Sequence, residues 1–188
     1  MIASQALPLI RCWAMERDLD YRHDPRTGFG AVFSRCGIWR YLLWRVLSPR
    51  ARLVGMGLLN PSKADETRDD PTIRQCRARA RQAGYAGLLV WNLFAFRATF
   101  PADLKRAPDP VGPDNDLAIA LALALAGRTI LAWGNHGAYL ARDRAVLAQC
   151  AGARIAVLGL TGRGQPRHPL YLPSGTRLRW NPHLPSKR

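Results

Sequence analysis

From residue 29 to residue 160, short apolar runs alternate with longer stretches whose apolar residues recur at helical spacing. Residues 29–34 and 39–47 are rich in aromatic and β-branched side chains. Arg35-Cys36-Gly37-Ile38 separates them, which predicts a hairpin that Pro49 ends. Residues 52–59 form an apolar run of strand length, and after a polar loop Pro71 opens a predicted helix over 72–83 that Gly84 closes. The rhythm then repeats, with a strand at 87–96, a helix at 116–126, a strand at 128–133, a helix at 136–150 and a strand at 154–160. Strands alternating with helices need crossover connections. The pattern therefore predicts a three-layer α/β/α fold with a mainly parallel central sheet of about four strands plus an N-terminal antiparallel hairpin. One domain over 29–180 is the simplest organisation, between an N-terminal segment, 1–28, to which the pattern assigns no element, and a C-terminal tail, 181–188.

Composition agrees with a single core: 188 residues at 48% hydrophobic would leave two domains undersized. The four cysteines are widely spaced, with no Cys-x-x-Cys and no histidine at zinc-finger distance, which argues for reduced thiols and against structural zinc. The longest apolar run, residues 117–126, is about half of the ~20 residues that span a bilayer. With no basic leader before the first apolar stretch, the expectation is a cytoplasmic protein with no membrane partner. Charge changes the picture more. The chain carries 28 basic and 13 acidic residues, a net charge of +15, which makes nucleic acid or a nucleotide the expected partner. Coding bias can exchange lysine for arginine, but exchange does not create excess charge.

In open α/β sheets ligands gather beyond the carboxyl ends of the strands, and there the sequence turns polar. Residues 55–59 run into Asn60-Pro61-Ser62, residues 88–91 into Asn92, residues 130–133 into Gly134-Asn135-His136, and the last strand leads through Gly162-Arg163-Gly164-Gln165-Pro166 to Arg167-His168-Pro169-Leu170-Tyr171. Asn60, held by the following proline, offers a donor and an acceptor; as an isolated residue it reads as an Asx-turn. Asn92 is a carboxamide after a buried strand, suited either to tying down a loop or to pairing with a base edge. His168 is stiffened by prolines on both sides of Arg167-His168 and is suited to donating a hydrogen bond to developing negative charge. His136 reads first as part of a helix cap, at a helix start that favours anions. Arg97, Arg163 and Arg167 are candidates for phosphate contacts or, equally, solvated loop charges. Gly134, Ser62 and Tyr171 complete the rim.

These residues carry a resemblance. Asn60-Pro61-Ser62-x-Ala64-Asp65, Asp69-Asp70-Pro71-Thr72-Ile73, Asn92-Leu93-Phe94-x-x-Arg97-Ala98-Thr99, Asp114-Asn115-Asp116, Trp133-Gly134 and Arg167-His168-Pro169-Leu170-Tyr171 resemble, in order, the motifs of a bacterial family of unknown function, number 1643. More distantly, the strand ends resemble the uracil-DNA glycosylase superfamily. There a Gly-x-Asn-Pro or Gly-x-Asp-Pro motif positions water, a later asparagine reads the base, and a His-Pro-Ser loop stabilises the departing base and touches DNA. The resemblance implies a glycosylase-like fold, catalytic roles for Asn60 and His168, base reading by Asn92, and no cofactor or metal. Three departures stand out: the glycine spacing before Asn60 is longer by one residue, Leu170 stands where the serine is expected, and no aromatic residue follows Pro61.

Three functions follow as expectations: hydrolysis of the N-glycosidic bond of a modified or damaged base, recognition of a nucleobase or nucleotide without chemistry, and metal-dependent phosphoester hydrolysis by Asp65, Glu66, Asp69, Asp70, Asp114 or Asp116. The acids in the third also read as turn and cap residues.

Overall fold

The structure, a computed structural model, describes residues 1–182, so most of the expected tail, from residue 183 on, lies outside the described residues. The fold is α/β. Among the described residues eight strands form one mixed sheet in the order β1-β2-β3-β5-β4-β6-β7-β8: β1 (Asp20–Asp24), β2 (Phe29–Phe33), β3 (Arg40–Val46), β4 (Leu53–Leu58), β5 (Gly87–Asn92), β6 (Arg128–Leu131), β7 (Arg154–Val157) and β8 (Arg179–Trp180). The helices are α1 (Ala3–Glu16), α2 (Pro71–Gln82), α3 (Pro101–Arg106), α4 (Asn115–Ala126) and α5 (Arg142–Gln149).

The four strands expected to be parallel are so: β5, β4, β6 and β7 lie side by side, linked by parallel pairings. The hairpin of β2 and β3 is antiparallel as expected. The sheet as a whole is larger and more mixed than the pattern predicts, because β3 pairs antiparallel with β5, β1 adds to β2 and β8 adds to β7. Alternate residues of β4 and β5 enter two apolar clusters. Leu53, Leu89 and Trp91 join one with Ala3, Ala6 and Ile10 of α1 and Ala118, Ile119 and Ala122 of α4. Val54, Met56, Leu58, Leu88 and Val90 join the other with Ile73, Cys76 and Ala80 of α2. This period of two is what burial of a strand on both faces requires. Gly57 makes room for it, since a Cβ there would lie 2.5 Å from the Trp91 ring.

Three local expectations need correction. The N-terminal segment holds α1 and β1, and α3 forms from residues that the pattern assigns to no element. The continuous helix over 136–150 is instead a 3₁₀ turn, Asn135–Ala141, followed by α5, with Leu140 and Ala141 at φ 53° and 52°. Tertiary anchors outweigh helix propensity there. Tyr139 packs on Phe94 and donates to Lys105 O, while the buried Arg142 donates to Leu93 O and Asp116.

Two buried arginines of β3 fix the loop that leaves β4. Arg45 donates through Nε to Asp69 at 2.7 Å and through Nη2 to the carbonyls of Asp65 and Arg68. Arg40 donates to Ala64 O at 2.8 Å. Asp65 accepts from the amides of Thr67 and Arg68, and Asp70 caps α2 by accepting from Ile73 N at 2.9 Å. The loop is thus held from below by guanidinium groups and closed from within by carboxylate caps.

The side chains of Arg45 and Asp69 are 1% and 9% exposed, so removing one charge strands the other in the interior. Asp69→Asn is therefore expected to cost about 3–5 kcal/mol, read as a lower midpoint in urea denaturation. A cost below about 1 kcal/mol, the scale of a surface pair, would contradict the structural role assigned to Arg45.

Candidate functional site

The carboxyl ends of the parallel strands open onto one cavity of about 690 Å³, within the roughly 300–1,000 Å³ typical of small-molecule sites. Leu58, Leu59, Asn60, Ser62 and Lys63 enter from the end of β4, and Asp70, Pro71, Thr72 and Ile73 from the start of α2. Trp133, Gly134, Asn135 and His136 follow β6, and Arg167, His168, Leu170, Tyr171 and Leu172 arrive from the segment after β7. Arg40 reaches it from β3. Of the residues singled out in the sequence, Asn60, Ser62, Gly134, His136, Arg167, His168 and Tyr171 come together here. Pro61, Asn92, Arg97 and Arg163 are not among the lining residues.

Each of those four has a definite place. Pro61 is buried, and its carbonyl accepts from Ala98 N at 2.9 Å and from Asn60 Nδ2 at 2.9 Å. Arg97 lies over the Phe33 ring, 5.1 Å from its centroid, and donates to Gly37 O. Arg163 is exposed on its loop. Asn92 is 1% exposed, and its Oδ1 accepts from Arg40 Nη2 at 3.3 Å. A guanidinium from the neighbouring strand therefore occupies the Asn92 acceptor, and Arg40 lines the cavity where Asn92 does not.

Asn60 is oriented unambiguously. Its Nδ2 donates to Pro61 O at 2.9 Å and to Ala98 O at 2.7 Å, using both amide hydrogens. Its Oδ1 receives no donor among the described residues, which leaves that acceptor for water or ligand. His168 Nδ1 accepts from Leu170 N at 3.4 Å, so the proton of the neutral ring resides on Nε2. Burial pushes the His168 pKa below its ordinary 6.5, with the charge of Asp70 opposing the shift. His168 is thus a neutral Nε2–H donor near neutrality. Its ring lies 5.6 Å from that of Tyr171, which is 81% exposed and presents a face for stacking at the rim. Gly134, at φ 72°, takes a conformation that disfavours a side chain, and its N–H donates to Pro166 O at 2.7 Å, joining the β6 end to the His168 segment.

Sequence reasoning misses Arg40. It lies in an aromatic strand run whose other members are apolar except Arg45, and an arginine there invites a solvated reading. The signal that identifies it is the strand's position between two neighbours in the sheet, which buries both guanidinium groups. Arg40 is 2% exposed, and burial lowers its pKa to about 9, with the charge of Asp70 opposing that shift. Neither its Nε nor the Nδ2 of Asn92 has a partner among the described residues. An unmet buried donor of this kind costs about 1–3 kcal/mol.

The acids proposed for metal-dependent chemistry have structural partners instead. Asp69 pairs with Arg45 and Arg77, and Asp116 accepts from Arg142 and Gln149. Asp65 and Asp70 are the caps already described, and Asp114 pairs with Arg17 at 3.2 Å. Among the described residues no group of three His, Cys, Asp or Glu side chains is placed to hold a metal ion, and no helix is long and apolar enough to cross a membrane.

The depressed His168 pKa makes a signed prediction. In the unfolded chain the imidazole takes up a proton near 6.5, earlier on acidification than in the fold, so its contribution is complete above that value and is lost as pH falls towards the folded pKa. His168→Gln should flatten the decline in unfolding free energy as pH falls below 6.5 relative to wild type. Parallel curves for the two proteins would contradict the burial of His168.

No curated protein and no solved structure matches the chain. Neither comparison supports the glycosylase resemblance. The profile of a family described as "Protein of unknown function (DUF1643)" matches residues 40–170. That span begins at Arg40 and ends beside His168, enclosing the cavity-forming strand ends, and the chain belongs to this family.

Proposed function

We propose that the cavity recognises a nucleobase, carried by a nucleotide or by nucleic acid. The observation that carries this reading is the arrival of Asn60 and His168, from segments over a hundred residues apart, at one cavity with complementary free atoms: an acceptor on Asn60 and an Nε2–H donor on His168. Nucleobase edges alternate acceptors and donors, so a site offering both in fixed positions suits them. Tyr171 adds an exposed aromatic face, and Lys63 and Arg167 add positive charge for phosphate. The net charge of +15 favours the same class of partner.

A second reading, hydrolysis of an N-glycosidic bond, is favoured by the His168 tautomer. Water held by Asn60 Oδ1 would add to the sugar carbon as the bond to the base nitrogen breaks. The electron pair leaves with the base, where the His168 Nε2–H meets the developing charge, and the water proton passes to solvent or to the departing base. Asparagine is a weak base, so the reaction would depend on leaving-group stabilisation and suit labile, damaged or modified bases. Asn92 contributes to either reading through Arg40.

The test is a panel of oligonucleotides and nucleotides carrying uracil, hypoxanthine or modified bases, scored for binding and for abasic product with and without chelator. Recognition predicts saturable binding that His168→Ala weakens by about tenfold or more, the scale of one lost buried hydrogen bond. Chelator-insensitive abasic product would add the hydrolytic reading. Full binding by both Asn60→Ala and His168→Ala would remove this cavity from consideration, and chelator-sensitive backbone cleavage would transfer the function to phosphoester chemistry.

A further inference from the structure

Among the described residues four arginines are at least nine-tenths buried: Arg40, Arg45, Arg79 and Arg142. Three are well supplied with acceptors. Arg45 has Asp69 and the carbonyls of Trp44, Asp65 and Arg68. Arg79 donates to the carbonyls of Leu172, Pro173 and Ser174 and to Gln82. Arg142 has Leu93 O and Asp116. Arg40 has fewer: it donates only to Ala64 O and Asn92 Oδ1, with no carboxylate paired to it among the described residues, and its Nε, like that of Arg79, has no partner. It is also the one of the four that lines the cavity.

A guanidinium presents five N–H hydrogens in a planar fork and remains charged in proteins, so the unfilled part of this fork is a standing demand for an anion. Its surroundings point the same way. The first residues of α2, Pro71, Thr72 and Ile73, bring the positive end of a twelve-residue helix to the cavity wall. The lining carries Arg40, Lys63 and Arg167 against one carboxylate, Asp70, whose Oδ1 is engaged by Ile73 N. Because Arg40 is 2% exposed, a ligand must bring its anion to the base of the cavity. The phosphodiester of a polymer carries a second nucleoside with it and fits such a position poorly. A terminal phosphate does not have that burden.

We propose that Arg40 is the anion-holding residue of the cavity and that the ligand is a free nucleoside monophosphate whose terminal phosphate is bound by Arg40. This rests on the nucleobase reading for the identity of the rest of the ligand, and the two are separable. Arg40 is a binding residue here, and Asn92, whose Oδ1 accepts from its Nη2, holds the guanidinium in place.

The experiment is calorimetric titration of the full chain with a nucleoside 5′-monophosphate, the matching nucleoside, ribose 5-phosphate and a 3′,5′-linked dinucleoside monophosphate. Wild type should bind the nucleotide about ten- to a hundredfold more tightly than the nucleoside, the range that a charge-assisted hydrogen bond supplies. It should bind the dinucleoside monophosphate no better than the nucleoside. Arg40→Gln should erase the preference and Arg40→Lys should retain part of it. Equal binding of nucleotide and nucleoside, tight binding of the dinucleoside monophosphate, or an undiminished preference in Arg40→Gln would each overturn the proposal, while saturable nucleoside binding would leave the base reading standing. Ribose 5-phosphate binding as tightly as the nucleotide would overturn the base reading and leave the anion site. Binding of none of the four would overturn both. Should Arg40→Gln fail to fold, Arg40→Lys decides the matter, since a nucleotide preference undiminished by loss of the guanidinium fork would overturn the proposal.

Discussion

Two guanidinium groups on β3, each on a residue that is 2% exposed, govern how the site is built. A buried charge must find acceptors, and Arg45 finds them in Asp69 and in the carbonyls of the loop that leaves β4. That demand pins the loop against the sheet, and the pinned loop delivers Asn60, Ser62 and Asp70 to the cavity. Arg40 meets the same constraint incompletely. It takes Ala64 O from the same loop and Asn92 Oδ1 from β5, and it is the one of the two that lines the cavity. One strand thus contributes a structural arginine and a binding arginine, distinguished by how fully each is supplied.

Around that constraint the strand ends supply groups whose orientation is fixed by backbone contacts. Asn60 is aligned by the carbonyls of Pro61 and Ala98, and His168 by the amide of Leu170. Preorganised groups of this kind interact with a ligand without first reorganising, which is where a polar site gains its strength. The cavity combines fixed neutral donors and acceptors with a cation at its base and an exposed aromatic ring at its rim. Nucleotides present complementary features on one molecule.

Much of this was legible from the pattern of residues. The parallel strands β4 to β7 were, because each is a short apolar run followed by a turn signal, and the convergence of their ends followed from the rule for open sheets. Less visible were α1, whose buried Ala3, Ala6, Ile10 and Ala14 keep helical spacing around an internal Pro8, and the break at Leu140 and Ala141, where the anchoring of Tyr139 and Arg142 is purely tertiary. The place of Asn92 was half legible. Its strand and burial follow from sequence, but the side chain that crosses in front of it comes from β3, and the pairing of β3 with β5 is a non-local fact. Arg40 was hidden for the same reason: an arginine between tryptophan and tyrosine reads as edge-strand charge until the sheet order puts β5 beside it.

The account turns on whether the Arg40 guanidinium meets the ligand. Nuclear magnetic resonance of the full chain, labelled with nitrogen-15 in arginine, reports this directly through the Arg40 Nε–H signal, assigned by its absence in Arg40→Lys. Titration with a nucleoside monophosphate should shift that signal saturably and slow its exchange with solvent. Saturation of the protein by nucleotide while the Arg40 signal stays in place would contradict the account.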